Sequence, residues 1–395
     1  MLLAGAGDIS AQQKSTKKAK NTAEVVDMKI LDDYFPVRAF MCELPAPDFV
    51  DTFINFVRED LVPSGFNMIV VQVDWHFKFK SHPELAGPNA WEMDKIKELV
   101  AVCREYGVEL LPMINLLGHQ SWFNRPGMLM QVYPEFDEKP NVKLSDHDPY
   151  KWPNPDHFYC KSYCPNHPDL HKIVFACIDE VIEAFESKYF HAGMDEVFDI
   201  ADIDCPRCGG MDPAKVFADE INRISAHIAL KGVPLMIWGD RLLDGRDDAT
   251  GYGEWSGSRN NTARAIDMID RSVVICDWHY RDAEQSAVLF ALKGFDVITC
   301  GWHRPDITEL QLEDILRFRA HSSAVTSKRY WGYMQTVWGA YSRFDKEYRE
   351  GISDRAALNY IYLQKAFADY AKKFTKERAA NGANVKKDQG PATGL

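Results

Sequence analysis

Two adjacent acids, Asp195 and Glu196, are the residues of this sequence whose types and spacing best suit chemistry. They close the segment His191-Ala192-Gly193-Met194-Asp195-Glu196, which follows a short β-prone run. Neighbouring residues on a regular strand point to opposite faces, so both acids can serve one site only if the strand ends or bulges there. Gly193 permits such an irregularity. We therefore expect both carboxyl groups to face one site.

Paired carboxyl groups are the groups that cleave glycosidic bonds, and one of them must stay protonated near neutral pH to donate to the leaving oxygen. A buried Glu196 beside an anionic Asp195 would keep its proton because of desolvation and like-charge repulsion. This pair predicts a glycosidase with Glu196 as the general acid. The alternative is an ordinary exposed Asp-Glu dipeptide, since the chain has 58 acidic residues.

Eight alternations of strand and helix can position these acids. The β-prone runs are residues 37–42, 68–74, 109–115, 189–193, 235–238, 273–277, 296–300 and 331–338. Amphipathic helical stretches follow them at residues 48–61, 92–106, 168–186, 213–231, 259–268, 283–293, 307–322 and 353–372. This order predicts an α/β fold, a single (β/α)8 TIM barrel. An open doubly wound sheet is the alternative, although no Gly-x-Gly-x-x-Gly or Walker pattern follows an early strand.

The length and composition of the 395-residue chain limit its domain organisation, its cellular location and its partners. Hydrophobic content of 46% and aromatic content of 12% suffice for a core, and we expect one catalytic domain over residues 26–375. Residues 1–25 and 376–395 lack hydrophobic periodicity, which predicts flexible tails. The first of these resembles the end of a secretory signal and favours an exported protein, with a cytoplasmic protein as the alternative. A net charge of -12 argues against nucleic acid or an anionic membrane as a partner.

Polar and aromatic side chains follow the predicted strands at the end where a barrel places its active site. Pyranose rings pack their C–H faces on aromatic rings, while their hydroxyl groups need charged acceptors and donors. The mixture therefore predicts a carbohydrate substrate. These residues are Arg38, Glu43, Asp74, Asn115, His119, Trp238, Asp240, Trp278, Tyr280, Trp302 and Trp338.

Four of the nine cysteines have spacing that could hold a metal ion. Cys205 and Cys208 form a Cys-x-x-Cys turn that ends in two glycines, and Cys160 and Cys164 could supply the other half of a structural zinc site. Disulfides or free thiols are the alternatives, and spacing alone does not decide among them.

At this point the chain resembles glycoside hydrolase family 20, the β-N-acetylhexosaminidases, over roughly residues 35–370. The family closes its fourth strand with His-x-Gly-Gly-Asp-Glu, and here Met194 replaces the second glycine. Residues 38–41 resemble the family's first-strand Arg-Gly-x-Met segment. Residues 113–119 resemble its Glu-Ile-Asp-x-Pro-Gly-His, and residues 164–168 its Cys-x-x-x-Pro entry to the next helix.

The resemblance implies substrate-assisted catalysis, in which the 2-acetamido oxygen of the sugar attacks the anomeric carbon. Asp195 would orient the acetamido N–H, and Glu196 would act as general acid and base without a cofactor. His119 and His191 would support the acid, and Arg38 would grip sugar hydroxyls. The resemblance implies that the acetamido pocket is walled by Trp238, Trp278 and Trp338.

Two departures from the family pattern bear on specificity. The tyrosine that usually bonds the acetamido oxygen has no counterpart in the strand 7 region, where Trp302 stands, and Tyr280 could substitute for it. Ala340 occupies the position of the glutamate that usually holds the sugar's O4 and O6. Two other functions stay open: a conventional retaining glycosidase with Glu254 or Asp277 as nucleophile, and a non-catalytic sugar-binding barrel.

Overall fold

A computed structural model describes residues 27–142, 159–352 and 355–388. Eight parallel strands, numbered here β1 to β8, close a barrel in which each strand pairs with its neighbours in sequence and β8 pairs with β1. The predicted (β/α)8 barrel is therefore confirmed. The strands are β1 Val37–Glu43, β2 Met68–Gln72, β3 Glu109–Leu116, β4 Phe190–Gly193, β5 Leu235–Trp238, β6 Val274–Trp278, β7 Asp296–Gly301 and β8 Tyr330–Thr336.

Residues along each strand alternate between two apolar clusters, one inside the barrel and one between the barrel and the helices, because successive side chains of a strand point to opposite faces. On β1, Ala39 and Met41 point into the barrel, whereas Phe40 and Cys42 pack against the surrounding helices. The interior is filled by side chains and is thus a packed core rather than a pore. Its buried residues include Met41, Val70, Met113, Met236, Trp238, Val274, Cys276 and Met334.

The longer helices around the barrel each bury an apolar stripe. In α5, Val216, Phe217, Ile221, Ile224 and Ile228 recur at intervals of one, three or four residues and are buried. Burying each such side chain contributes about 1.5 to 3 kcal/mol. The α-helices are α1 Val50–Phe56, α2 Met93–Glu105, α3 Met128–Val132, α4 Leu170–Phe185, α5 Pro213–Ala229, α6 Gly253–Ser256, α7 Ser286–Lys293, α8 Pro305–His321, α9 Tyr341–Arg349 and α10 Arg355–Asp388.

The expected C-terminal tail is corrected in part. Helix α10 runs to Asp388, so residues 376–388 are helical although they had been expected to be loose. This stretch has three Ala and three Lys, which have high helix propensity, but it provides no apolar stripe, so hydrophobic periodicity does not reveal the helix. The expected N-terminal tail and signal remnant, residues 1–25, lie outside the described residues. Within the described residues, no helix combines the length and apolarity needed to cross a membrane.

Candidate active site

The backbone after β4 turns Asp195 and Glu196 toward the same site. The strand ends at Gly193, and Gly193, Met194 and Glu196 have φ angles of +69°, +72° and +48°. A Cβ on Gly193 would lie 2.7 Å from Oδ1 of Asn115, so the close approach of β3 also requires glycine here. The strand irregularity expected from the sequence is thereby confirmed.

One imidazole contacts both acids. Nε2 of His119 lies 3.2 Å from Oδ2 of Asp195 and 3.4 Å from Oε2 of Glu196. The hydroxyl of Tyr159 donates a hydrogen bond to Oε2 of Glu196. Asp195 and Glu196 are 5% and 6% exposed, so the interactions are made in a largely desolvated site.

Burial raises the pKa of Glu196 to about 7, while the charge of His119 lowers it and that of Asp240 raises it. The desolvation expected from the sequence is present, and Asp240 adds like-charge repulsion that the sequence did not predict. Oδ2 of Asp240 accepts a hydrogen bond from the backbone N–H of Glu196 at 2.9 Å and from Nε of Arg241 at 2.7 Å. A glutamate of this pKa can be protonated near neutral pH and can also release its proton there.

Asp195, the second acid of the pair, has one carboxyl oxygen that is available to a ligand. Burial disfavours the charged form of His119, but the charge of Asp195 and side-chain hydrogen bonds to Asp195 and Cys160 outweigh it and raise the pKa of this imidazole well above its usual value. A cationic His119 therefore pairs with Oδ2 of Asp195. Oδ1 of Asp195 is buried and accepts no hydrogen bond from any residue in the described part of the chain. It can accept an N–H from a bound molecule.

Aromatic side chains lie together in and above the barrel. The ring centroids of Trp238 and Trp338 are 5.6 Å apart, Tyr280 stacks on Trp278 at 5.0 Å, and Trp302 meets Tyr280 edge-on at 5.5 Å. Nε1 of Trp338 donates to the Tyr280 hydroxyl at 2.9 Å. The indole N–H groups of Trp238 and Trp278 are buried and make no hydrogen bond to any described residue.

His191 lies on β4, and Asp74 follows the end of β2 by two residues. Oδ1 of Asp74 accepts the backbone N–H of Asn115 at 2.8 Å, and burial raises the pKa of Asp74. His191 is fully buried on the inner face of β4. Its Nδ1 accepts the Gly193 N–H at 3.0 Å and its ring contacts Trp238 at 4.6 Å. Both residues brace the strand ends that carry the site.

Arg38 does not reach this site, which corrects its expected role as a sugar ligand. It lies near the amino end of β1 with the outward orientation of Phe40, because it is two residues from it. Its guanidinium donates to the carbonyl oxygens of Gly65 and Phe35 and to Oδ1 of Asp32. Arg38 therefore links the base of the barrel to the segment before β1.

The predicted cysteine set is also corrected. The sulfur of Cys160 lies 3.8 Å from the backbone oxygen of Glu196 and so belongs to the active-site wall. Cys164, Cys205 and Cys208 do come together, with Glu138 as the fourth member of the cluster. The sequence pattern missed Glu138 because its partners are distant in the chain and no spacing motif includes it.

Tyr159 and Asp240 both contact Glu196, and only Tyr159 was not among the residues that the sequence placed at the site. Asp240 was visible two residues beyond the end of β5, where a barrel places functional groups. Tyr159 lies in the long connection between β3 and α4, and its position there follows no periodic pattern. Only the folded loop places its hydroxyl on Glu196.

The sequence model of a protein family, glycosyl hydrolase family 20, catalytic domain, matches residues 71–358 of this chain. The chain belongs to this family. This confirms the resemblance seen in the sequence, and the match runs from the end of β2 through β8 and includes the acids that follow β4.

Relatives of the family 20 chain include enzymes from bacteria and nematodes. Lacto-N-biosidase of Bifidobacterium bifidum is 24% identical over 207 residues, which are 50% of this chain and 16% of the relative. Beta-hexosaminidase A of Caenorhabditis briggsae is 28% identical over 205 residues, 47% of this chain and 32% of the relative. The chain therefore spans a third or less of the length of these relatives.

Solved structures share the family 20 fold. The chitobiase of Flavobacterium johnsoniae is 17% identical with a TM-score of 0.59, over 87% of this chain and 52% of that one. An exo-β-N-acetylglucosaminidase of Vibrio harveyi, solved with N-acetylglucosamine, is 14% identical with a TM-score of 0.56. The alignment covers 87% of this chain and 58% of that one. At these identities the likeness concerns the barrel architecture alone.

The two carboxylates considered as alternative nucleophiles have other partners in the family 20 domain. Asp277 accepts a hydrogen bond from the hydroxyl of Ser286 in α7 at 2.7 Å, which turns it toward the outer helices. Oε1 of Glu254 lies 3.6 Å from NH1 of Arg241. These contacts favour Asp195 as the carboxylate that works with Glu196.

Proposed function

We propose that this chain is a hydrolase that removes terminal β-linked N-acetylhexosamine, GlcNAc or GalNAc, from a carbohydrate by substrate-assisted retaining catalysis. The observation that carries the proposal is the convergence of Asp195 and Glu196 on His119 in a buried site beside four tryptophans. Carboxyl oxygens of the two acids lie within 4.8 Å of each other, so both can reach one sugar ring.

In the first half of the reaction, the Glu196 carboxyl group donates its proton to the glycosidic oxygen as the C1–O bond breaks. The acetamido oxygen of the sugar bonds to C1 on the opposite face and forms an oxazolinium ring. Oδ1 of Asp195 accepts the acetamido N–H and its charge stabilises the positive ring. Positioning this internal nucleophile can supply about 7 to 11 kcal/mol of the barrier reduction.

In the second half, the Glu196 carboxylate takes a proton from water and the water oxygen bonds to C1. The bond from C1 to the acetamido oxygen breaks, so its electron pair returns to the amide and the sugar leaves with retained configuration. The pKa of about 7 allows Glu196 to serve in both steps.

The aromatic residues supply the pocket for the acetamido group. Trp238, Trp278 and Trp338 offer flat apolar surfaces for its methyl group. The Tyr280 hydroxyl accepts from Trp338, which leaves its own proton to donate to the acetamido oxygen. Asp195 is among the charges that raise the pKa of the Tyr280 hydroxyl, after burial, which puts the two groups within electrostatic range. Tyr280 thus supports the substitution expected for the family's tyrosine.

A comparison of aryl β-glycosides tests the proposal. We expect the 4-nitrophenyl β-glycosides of GlcNAc or GalNAc to be cleaved at least about 10³-fold faster than the glucoside, since the glucoside lacks the internal nucleophile. A GlcNAc-thiazoline, which copies the oxazolinium ring, should inhibit competitively. Comparable turnover of the glucoside would support a conventional retaining glycosidase, and binding of sugars without turnover would support a non-catalytic barrel; either result overturns the proposal.

The pH profile is expected to follow Glu196. Its protonated form is the general acid, so kcat/KM should be high below pH 7 and should fall as the pH rises through the raised pKa of about 7. The fall should be smaller with a 2,4-dinitrophenyl leaving group, which needs little protonation. Initial rates between pH 5 and 9 with both substrates measure this. An alkaline limb that is identical for the two leaving groups would contradict the assignment.

A further inference from the structure

A buried cluster of one carboxylate and three thiols lies beside the active site, and the proposed glycosidase chemistry does not use it. Cys164 and Cys208 have sulfurs 3.7 Å apart, and Cys205 and Cys164 have sulfurs 3.5 Å apart. Oxygens of Glu138 lie 2.9 Å from the Cys208 sulfur and 3.2 Å from that of Cys205. None of the four residues is more than 5% exposed.

These distances match a tetrahedral metal site. With metal-to-sulfur bonds of about 2.3 Å, tetrahedral geometry separates two sulfurs by about 3.8 Å. The observed sulfur separations lie within a few tenths of an ångström of that value. A disulfide would need a sulfur separation of about 2.05 Å and would leave the third thiol beside the carboxylate.

The turn that carries Cys205 and Cys208 is built tightly around the cluster. The N–H of Gly209 donates to the Cys205 oxygen at 3.1 Å, and a Cβ on Gly209 would lie 2.5 Å from that oxygen and 2.7 Å from the oxygen of Ile203. The turn therefore requires glycine at position 209.

The charges in the cluster also call for a cation. The carboxyl group of Glu138 is fully buried, and it can be ionised there only beside a counter-charge or a metal ion. Within the described residues, no lysine, arginine or histidine forms an ion pair with it, and its hydrogen-bond donors are the thiols of Cys205 and Cys208 and the N–H of Asp202. The neighbouring Lys139 pairs instead with Asp199 and Asp202.

We propose that Glu138, Cys164, Cys205 and Cys208 bind one structural zinc ion. Three sulfurs and one oxygen in tetrahedral arrangement suit zinc, and four protein ligands leave no open position for catalysis. Glu138 and Cys164 belong to the connection after β3, which also carries His119 and Tyr159, whereas the Cys205 turn belongs to the connection after β4. The ion therefore joins the two loops that hold the general acid and its contacts.

Metal analysis of the full chain, purified without a histidine tag, tests the site directly. We expect about one zinc per chain by mass spectrometry, released in step with the thiols when a mercurial reagent titrates them. Zinc below about 0.1 per chain after reconstitution with zinc salt, or zinc that is not released when the thiols react, would overturn the proposal. Stoichiometric iron in place of zinc would overturn the choice of metal.

Matched variants separate this site from a general effect of losing a cysteine. Cys205→Ser with Cys208→Ser should lose the zinc and lower the melting temperature by more than about 5 °C. Cys103→Ser, which changes a buried cysteine on α2 outside the cluster, should keep it. Glu138→Gln should weaken zinc binding and Glu138→Cys should retain it, because a thiolate is a zinc ligand.

Full zinc in the double variant would overturn the proposal. If that variant fails to fold, the mercurial titration of the unchanged chain decides. None of these readouts requires glycosidase activity.

Discussion

Glu196→Gln is expected to lower kcat/KM for 4-methylumbelliferyl β-N-acetylglucosaminide by about 10²- to 10⁴-fold, the usual contribution of a general acid and base. Glutamine preserves the size of the side chain but has no proton to give to the leaving oxygen. The loss should shrink with a 2,4-dinitrophenyl leaving group, which departs without protonation. Initial rates with both substrates measure the two losses.

The folded state should tolerate this change. The pKa of Glu196 is raised in the folded protein, so its contribution to stability is present at low pH and is lost as the pH rises through about 7. At pH 8 glutamine therefore removes the cost of a buried charge, and the melting temperature should not fall. Glu254→Gln is the control, because Glu254 pairs with Arg241. A large loss in Glu254→Gln with normal rates in Glu196→Gln would reverse the assignment.

Asp195→Asn is expected to lower kcat for the same substrates by about 10²- to 10³-fold, the usual effect of removing an electrostatic stabiliser. Asparagine can still accept the acetamido N–H, but it carries no charge to stabilise the oxazolinium ring. Affinity for a GlcNAc-thiazoline should fall in parallel, since that inhibitor copies the ring. Steady-state rates and inhibition constants measure both effects.

Asp277→Asn is the matched control for Asp195→Asn. Asp277 is also a buried aspartate beyond the middle of a barrel strand, but it accepts from Ser286 on the helix side. We expect its variant to change the melting temperature more than kcat. Undiminished kcat in Asp195→Asn would refute the role of Asp195, and accumulation of a covalent glycosyl-enzyme that requires Asp277 would establish the conventional mechanism instead.

The fold could be predicted from the sequence because each of its elements is encoded locally. The eight β-prone runs correspond to the eight observed strands, and seven of the eight helical stretches correspond to α-helices, with ends that differ by a few residues except at α10. The stretch predicted at residues 259–268 contains only a 3₁₀-helix, Thr262–Asp267. Short apolar runs and amphipathic stripes depend on neighbours within about ten residues, and parallel strands joined by helices have few ways to close. The placement of Asp195 and Glu196 at one site was predictable for the same reason, since both acids and Gly193 lie within four residues of the chain.

The face of the sheet to which a strand residue points, and the conformation of the long loops, could not be predicted from local sequence. Arg38 was expected to bind the sugar. Phe40, two residues further along β1, packs against the outer helices, and residues two apart on a strand share a face, so Arg38 also points outward. A one-residue change of register would have reversed that outcome, and a local motif does not fix the register. The contact between Tyr159 and Glu196 and the approach of Glu138 to the cysteine turn both depend on long loops.

The sequence by itself thus determined the barrel, the acids at the tip of β4 and the aromatic character of the site. Tertiary structure alone decided that Asp240 adds to the repulsion of a charge on Glu196, and that Glu138 rather than Cys160 completes the thiol cluster. The physical reason is that a pKa and a ligand set depend on distances through space. Segments far apart in the chain set those distances only when the loops have packed.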